Sequence, residues 1–265
     1  MLITGGSGFL GQHLGIASEA EEWELFAPPS TMIDVRNRER SIEEICSWKP
    51  TAIVHLAYRK GDRRSIVEGS RNIAEAATVC GARMVHVSSD VIFPGRAQRY
   101  HEYDIPFPIT EYGVMKLEAE RAVAAECPGA VLVRTSLLYG TRRPASIQLD
   151  VERAISGKVP MRFFTDEYRC PAHAADVAAA LSALAARPEI RGPLNVAGPE
   201  AVSRAELAAT FATWMGLDPR LLNTGTMALS GTIRPSCVVL DTTLAGSYGL
   251  QCRSLAETLR RHPVG

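Results

Sequence analysis

Leu2-Ile3-Thr4-Gly5-Gly6-Ser7-Gly8-Phe9-Leu10-Gly11 is the stretch that decides the fold. A short apolar run stops at Thr4, four glycines fall within the next seven positions, and a helical pattern over Leu10–Ala20 follows. A dinucleotide-binding turn needs this order. Glycine permits the tight turn, lets the backbone approach a pyrophosphate and lets the helix pack close to the sheet. The free N–H groups at the helix start then attract the anion. A plain tight turn would show the same glycines. Their place between a first strand and an amphipathic helix favours the dinucleotide reading. Met1 sits almost on the turn, so either the edge of the first strand is missing or the start is late.

Outward from the turn, strand and helix patterns alternate. Leu2–Thr4, Trp23–Phe26, Ala52–Ala57, Arg83–Val87 and Ala130–Arg134 are short and mostly apolar, as strands buried on both faces should be. Helices are predicted over Leu10–Ala20, Ile42–Trp48, Ile66–Cys80 and Glu111–Ala125. This alternation predicts an α/β protein with a Rossmann-like, doubly wound parallel sheet. After Gly140 the rhythm loosens, with helices predicted over Gln148–Ser156, Ala174–Ala186, Ala205–Gly216 and Leu255–Arg261 and a strand over Leu194–Ala197. Ser203-x-x-Glu206 and Ser254-x-x-Glu257 read as helix-capping boxes. We expect residues 1–140 to form a dinucleotide-binding domain to which 170–198 returns, and 141–169 with 199–265 to form a smaller C-terminal substrate lobe.

Composition narrows the function classes. The 265 residues suffice for one large domain or a domain with a lobe, and 46% hydrophobic with 22% charged residues sets disorder aside. Lys+Arg and Asp+Glu both total 29, so no basic excess points to nucleic acid or an anionic membrane. The cysteines at 46, 80, 127, 170, 237 and 252 lack CxxC or Cys/His spacing. They read as small buried apolar residues in a reducing cytosol, and no metal-ligand cluster is expected. No apolar run approaches the roughly eighteen residues of a membrane span, and the opening lacks a basic n-region. A soluble, cytoplasmic protein is expected.

Coenzyme choice turns on the end of the second strand, where a carboxylate would bind the ribose 2′-OH and repel a 2′-phosphate. The chain offers Ala27-Pro28-Pro29-Ser30-Thr31, with Arg36, Arg38 and Arg40 shortly after. This leans toward NADP, with NAD as the alternative; a solvated helix start is the bland reading of the arginines. Asp34 comes too late for the ribose and suits the adenine better. Tyr112 and Lys116 stand four apart on a predicted helix, so both project from one face. Ser88-Ser89-Asp90 ends a predicted strand, where ligand crevices of open parallel sheets lie. A phenol can protonate a nascent alkoxide, an adjacent ammonium would lower its pKa, and a hydroxyl can bind a carbonyl oxygen. YxxxK alone recurs by chance as an exposed helix face. Its order after the glycine turn and Ser88-Ser89 favours carbonyl reduction.

Together these residues resemble the extended short-chain dehydrogenases/reductases, and within them the dTDP-4-dehydrorhamnose reductase group. Tyr100-x-Glu102-x-Asp104, Pro108 and Tyr112-Gly113-x-x-Lys116-Leu117-x-x-Glu120 are similar to that group's pattern at every spacing. Ser88-Ser89-Asp90-Val91-Ile92-Phe93-Pro94-Gly95 and Val133-Arg134-Thr135-Ser136-Leu137-Leu138-Tyr139-Gly140 resemble its strand-end signatures. Asp166, Pro171, Asp176 and Arg234-Pro235 resemble markers of its substrate half. The resemblance implies Tyr112 as proton donor, Ser89 as the hydroxyl that orients the carbonyl, and Lys116 as the residue that holds the nicotinamide ribose and depresses the phenol pKa. It places Gly5, Ser7, Gly8, Phe9, Leu10 and Gly11 at the pyrophosphate. Ser30, Asp34, Val35, Ala57, Tyr58 and Ser88 would line the remaining coenzyme channel. His55 is then a sheet residue beside the coenzyme. Three positions depart from the group: Ser89 replaces its usual Thr, Leu137 its usual Trp beside the sugar, and Ile66 an Asn common among extended members.

The resemblance implies a reductase of a nucleotide-linked 4-keto sugar. Three alternatives remain: a nucleotide-sugar epimerase retaining tightly bound NAD, a ketoreductase of specialised metabolism, and a non-catalytic regulatory subunit. The expected partner is a small molecule, with no nucleic acid or membrane, and room is left for a homodimer.

Overall fold

The computed structural model describes residues 1–19, 21–227, 230, 231 and 233–263. Five parallel strands form its central sheet: β1 (Leu2–Thr4), β2 (Ala52–His55), β3 (Arg83–Ser89), β4 (Val131–Thr135) and, much later in the chain, Gly192–Asn195, in that spatial order. The register runs Ile3↔Val54, Val54↔Val85, Val85↔Val131 and Val131↔Gly192. The apolar runs are buried along nearly their whole length, as two-sided burial requires. Between them lie α1 (Phe9–Glu19), α2 (Arg38–Trp48), α3 (Gly69–Val79) and α4 (Glu111–Glu126). The mixed α/β class with a parallel sheet holds.

Two local predictions change. Trp23–Phe26 does not form a ladder. It contributes one parallel bridge, Leu2↔Phe26, held by Ile3 N donating to Phe26 O at 2.8 Å and Phe26 N to Met1 O at 3.0 Å. Pro28 and Pro29 follow at once and have no N–H to extend it. The helix predicted from Ile66 to Cys80 is split into a π-helical turn over Arg64–Glu68 and α3.

Beyond β4 the chain makes β5 (Leu138–Tyr139), α5 (Ser146–Ile155), β6 (Arg162–Phe164), β7 (Tyr168–Arg169) and β8 (Ala172–His173). It continues through α6 (Ala174–Ala185), β9 (Gly192–Asn195), β10 (Val202–Ser203), α7 (Arg204–Trp214), β11 (Asn223–Gly225), α8 (Thr243–Ser247) and α9 (Leu255–Arg261). Small two-stranded pairings, β5 with β8, β7 with β10 and β6 with β11, tie this half together. Its core gathers Tyr139, Ile147, Val151, Phe163, Leu207, Phe211, Leu255 and Leu259. The sheet has a separate core on each face, one built on Leu14, Leu181 and Leu194, the other on Ile45, Ile73 and Met84. Residues 238–252, grouped with the lobe in the sequence reading, pack on the sheet side: Ala245, Leu250 and Cys252 join the α1–α6 core, and Val238, Val239 and Leu240 meet Ile92 and Phe93. Among the described residues no helix is long and apolar enough to cross a membrane.

Candidate active site

The glycine turn is as tight as its sequence suggests. Gly5 has φ of +74°, and a Cβ there would stand 2.8 Å from Ala57 N. A Cβ on Gly11 would lie 2.4 Å from Gly5 O, so only glycine lets α1 start this close to β1 and β2. No acidic residue stands in the first turn of α1 to repel an anion. Thr4 Oγ1 receives Leu56 N at 3.2 Å and Ala57 N at 3.3 Å, which ties the turn to the end of β2.

A cleft of about 860 Å³ opens above these strand ends. Every residue predicted for the site lines it: Gly5, Ser7, Gly8, Phe9, Leu10, Gly11, Ser30, Asp34, Val35, Ala57, Tyr58, Ser88, Ser89, Tyr112 and Lys116. The opposite wall comes from the second half of the chain, including Leu137, Ser146, Asp150 and Arg204.

Thr110 caps α4 by accepting Gly113 N at 3.1 Å, so Tyr112 and Lys116 project from its first two turns. Tyr112 rests on Ile66, Val67, Met115 and Ala119, so the chain's Ile66 props the phenol by packing where the group's Asn would present an amide. The Tyr58 ring lies 6.1 Å from the Tyr112 ring and 5.6 Å from Lys116 Nζ. Lys116 is buried and donates to Val87 O at 2.7 Å. Burial lowers its pKa to about 8. The depression of the phenol pKa expected from Lys116 is not found. Burial pushes the Tyr112 phenol well above its ordinary value, and Tyr58, through charge and a hydrogen bond, pushes the same way. Burial is the largest influence on the phenol, and no lowering by Lys116 is set against it.

Ser89 caps a short 3-10 turn over Asp90–Ile92 and donates to Asp90 Oδ1 at 3.3 Å. Ser88 Oγ and Thr135 Oγ1, both buried in the cleft floor, have no partner among the described residues. Buried hydroxyls without partners are uncommon and point to a polar ligand above them. His55 is held on both sides, by Thr4 Oγ1 at 2.6 Å and Ser70 Oγ at 3.1 Å, and burial drops its pKa to about 3. It is a neutral sheet residue.

The arginines after the second strand segment part company. Arg36 lines the cleft and grips Asp34 through Nε and Nη2, which lowers the carboxyl to about 2. Arg38 pairs with Glu75 and Arg40 with Glu44, on the helix surface. The markers of the second half hold structure: Asp166 accepts Met227 N, Asp176 pairs with Arg253, and Arg234 with Glu167. Arg204 was missed by sequence reasoning. It is the first residue of α7, its guanidinium makes no hydrogen bond to a described residue, and it lines the cleft near Glu167 and Asp150. Nothing in its local sequence marks it; the lobe's pairings bring it there.

The chain is similar to known proteins. The chain is 28% identical to methionine adenosyltransferase 2 subunit beta of Bos taurus, over 96% of this chain and 84% of that one. It is 29% identical to the dTDP-4-dehydrorhamnose reductase of Aggregatibacter actinomycetemcomitans, over 70% and 67% of the two chains. The crystal structure of dTDP-4-dehydrorhamnose reductase from Bacillus anthracis str. Ames in complex with NADP superposes with a TM-score of 0.87 at 24% identity, covering 98% and 96%. A family match extends over residues 1–261, and the chain belongs to the family described as RmlD substrate binding domain.

Proposed function

We propose that this protein is an NADPH-dependent reductase of a nucleotide-linked 4-keto sugar, of the dTDP-4-dehydrorhamnose reductase kind. The observation that carries the reading is the convergence of Ser89, Tyr112 and Lys116 with the glycine turn on one cleft. The names of the reductase relative and of the NADP-bound structural neighbour support it. Residues 1–140 with 170–198 hold the coenzyme in this reading, and 141–169 with most of 199–265 hold the sugar nucleotide.

The glycine turn and the start of α1 receive the coenzyme's pyrophosphate on backbone N–H groups. Ser30 and Arg36 flank the adenosine end, and Arg36 is the cation for a 2′-phosphate; NAD is the alternative coenzyme. When bound, the nicotinamide supplies the hydride. Lys116 holds the ribose, Ser89 donates a hydrogen bond to the ketone oxygen, and Tyr112 gives its proton as the alkoxide forms. With its pKa raised, the phenol is protonated at neutral pH and has a proton to give. Arg204 faces the cleft, and its guanidinium makes no hydrogen bond or ion pair among the described residues, which makes it the natural anchor for the substrate's diphosphate.

The test is loss of NADPH absorbance with dTDP-4-dehydrorhamnose. Turnover that needs Tyr112 supports the reading. A second reading, a non-catalytic subunit, is favoured by the relatives named methionine adenosyltransferase 2 subunit beta, which span 96% of this chain. No turnover with any nucleotide-linked keto sugar, together with stable binding to a methionine adenosyltransferase catalytic subunit, would replace the first reading with the second.

A further inference from the structure

Asp90 follows Ser89 directly and is 4% exposed. Its two oxygens meet different company. Oδ2 faces donors: Ser136 Oγ at 2.6 Å and Arg169 Nε at 3.7 Å. Ser136 accepts Cys170 N at 3.2 Å, which commits its own proton to Asp90. Oδ1 meets Ser89 Oγ at 3.3 Å.

A serine hydroxyl has one proton to give. With Asp90 ionised, Oδ1 holds that proton, and Ser89 has none for a ketone, which brings none of its own. We propose that Asp90 is a positioning residue that acts as a neutral carboxylic acid, donating its Oδ1 proton to Ser89 Oγ so that the Ser89 proton is free for the substrate oxygen. This rests on the reading that Ser89 binds a ketone. Oδ1 is the oxygen that carries the proton, because Oδ2 already accepts the Ser136 hydrogen bond and faces the Arg169 guanidinium. The result is a relay of two hydrogen bonds, Asp90 to Ser89 to substrate, each polarising the next. A carboxylate beside a forming alkoxide would oppose it; a carboxylic acid supports it.

The surrounding charges agree. Arg169 is as buried as Asp90 and is shared between two carboxylates: its Nη2 lies 3.2 Å from Glu167 Oε1, nearer than Nε is to Asp90. Its Nη1 also donates to Tyr168 O and its Nη2 to Pro235 O. Asp90 is thus the second carboxylate on one buried guanidinium. Burial pushes its carboxyl above the usual range and Glu167 adds to this, while Arg169, Ser136 and Ser89 pull the other way. Tyr112 on α4 and the Cys170 thiol also face it, and both are neutral at ordinary pH. Arg234 acts only through Glu167.

The sign follows. Asp90 is neutral below its pKa, so the relay is present at lower pH and is lost as pH rises through that value. Asn at position 90 can keep its carbonyl toward Ser136 and Arg169 and turn its NH2 toward Ser89, which makes it a mimic of the acid. Two measurements test this. Infrared difference spectra of the wild-type chain against Asp90→Asn should contain a protonated carboxyl band at neutral pH that gives way to carboxylate as pH rises. An Asp90 already ionised at neutral pH overturns the proposal, whatever the chain's substrate. In ketone reduction, Asp90→Asn should lower kcat by less than ~3-fold and remove the high-pH decline, whereas Asp90→Ala should lower kcat ~10-fold with KM little changed, the cost of one hydrogen bond. If Asp90→Asn loses as much as Ser89→Ala, the relay is wrong. If no keto sugar is turned over, the proposed function falls, and the infrared titration still decides where the proton sits.

Discussion

Tyr112 and Lys116 answer the same burial in opposite ways. The phenol is pushed up and stays protonated; the amine is pulled down to about 8. Tyr112→Phe removes the proton donor with little change in volume. Its kcat should fall ~100-fold or more, at the lower end of general-acid contributions. NADPH affinity, measured by fluorescence titration, should stay close to the wild-type value. A Tyr112→Phe enzyme with near wild-type turnover would remove the phenol from the chemistry. Arg204 makes a different prediction. Arg204→Met keeps the stem and deletes the charge, so KM for a nucleotide sugar should rise ~10-fold or more, as loss of a charge-assisted hydrogen bond implies. An unchanged KM would mean that the diphosphate binds elsewhere.

At the scale of elements, α7 links local sequence to the site. Ser203 accepts Glu206 N at 3.1 Å, and Glu206 Oε2 accepts Ser203 N at 2.9 Å, the reciprocal box that the spacing announced. Arg204 is the next residue, so the cap aims it. Ser203→Ala should cost about 1 kcal/mol and lower the melting temperature by roughly 2–4 °C for a chain of this size. It should also raise KM for the nucleotide sugar in the direction of Arg204→Met. A melting shift without a KM change would separate the cap from the site. The box was legible because it is a four-residue signal, as were the glycine turn and the Tyr112/Lys116 spacing. The elements β5, β7, β8 and β10 are two residues each. No period of two can be read from two residues, so the pairings that carry Arg204 to the cleft and Arg169 to Asp90 left no mark in the sequence. Trp23–Phe26 failed in the other direction: its composition suits a strand, but Pro28 and Pro29 end the ladder after one bridge. The settings of Ser136 and Asp90 likewise depend on neighbours 34 and 79 positions away, Cys170 and Arg169.

Across the whole molecule, the sheet that presents the site also stores a sensitivity to acid. His55 and His86 sit on adjacent strands in register, fully buried, with ring centroids 5.5 Å apart. Burial and the Lys116 charge lower both, His55 to about 3, and His86 has neither ring nitrogen paired among the described residues. Unfolded, each would titrate near ~6.5. Above that value both states are neutral and the pair contributes nothing to the pH dependence. As pH falls below it, the unfolded chain takes up protons that the folded sheet refuses, so stability declines until the folded pKa is reached. For His55 the window runs from about 6.5 to about 3, and full passage through it costs at most roughly 5 kcal/mol. Asp176, held low by His173 and Arg253 against the cost of burial, adds a loss of the same sign only below the ordinary carboxylate range. Asp90 has the opposite sign, since its raised pKa favours the folded state as pH falls. Urea midpoints should therefore drop between pH 6.5 and 4.5, a range set by the imidazole reference value, before the paired carboxylates titrate. His55→Asn, which can still hydrogen-bond Thr4, should flatten that decline while lowering stability at neutral pH. An unaltered slope in the variant would assign the acid sensitivity to the carboxylates instead, and would leave His55 as a spacer that fixes Thr4 and the glycine turn without taking part in the titration.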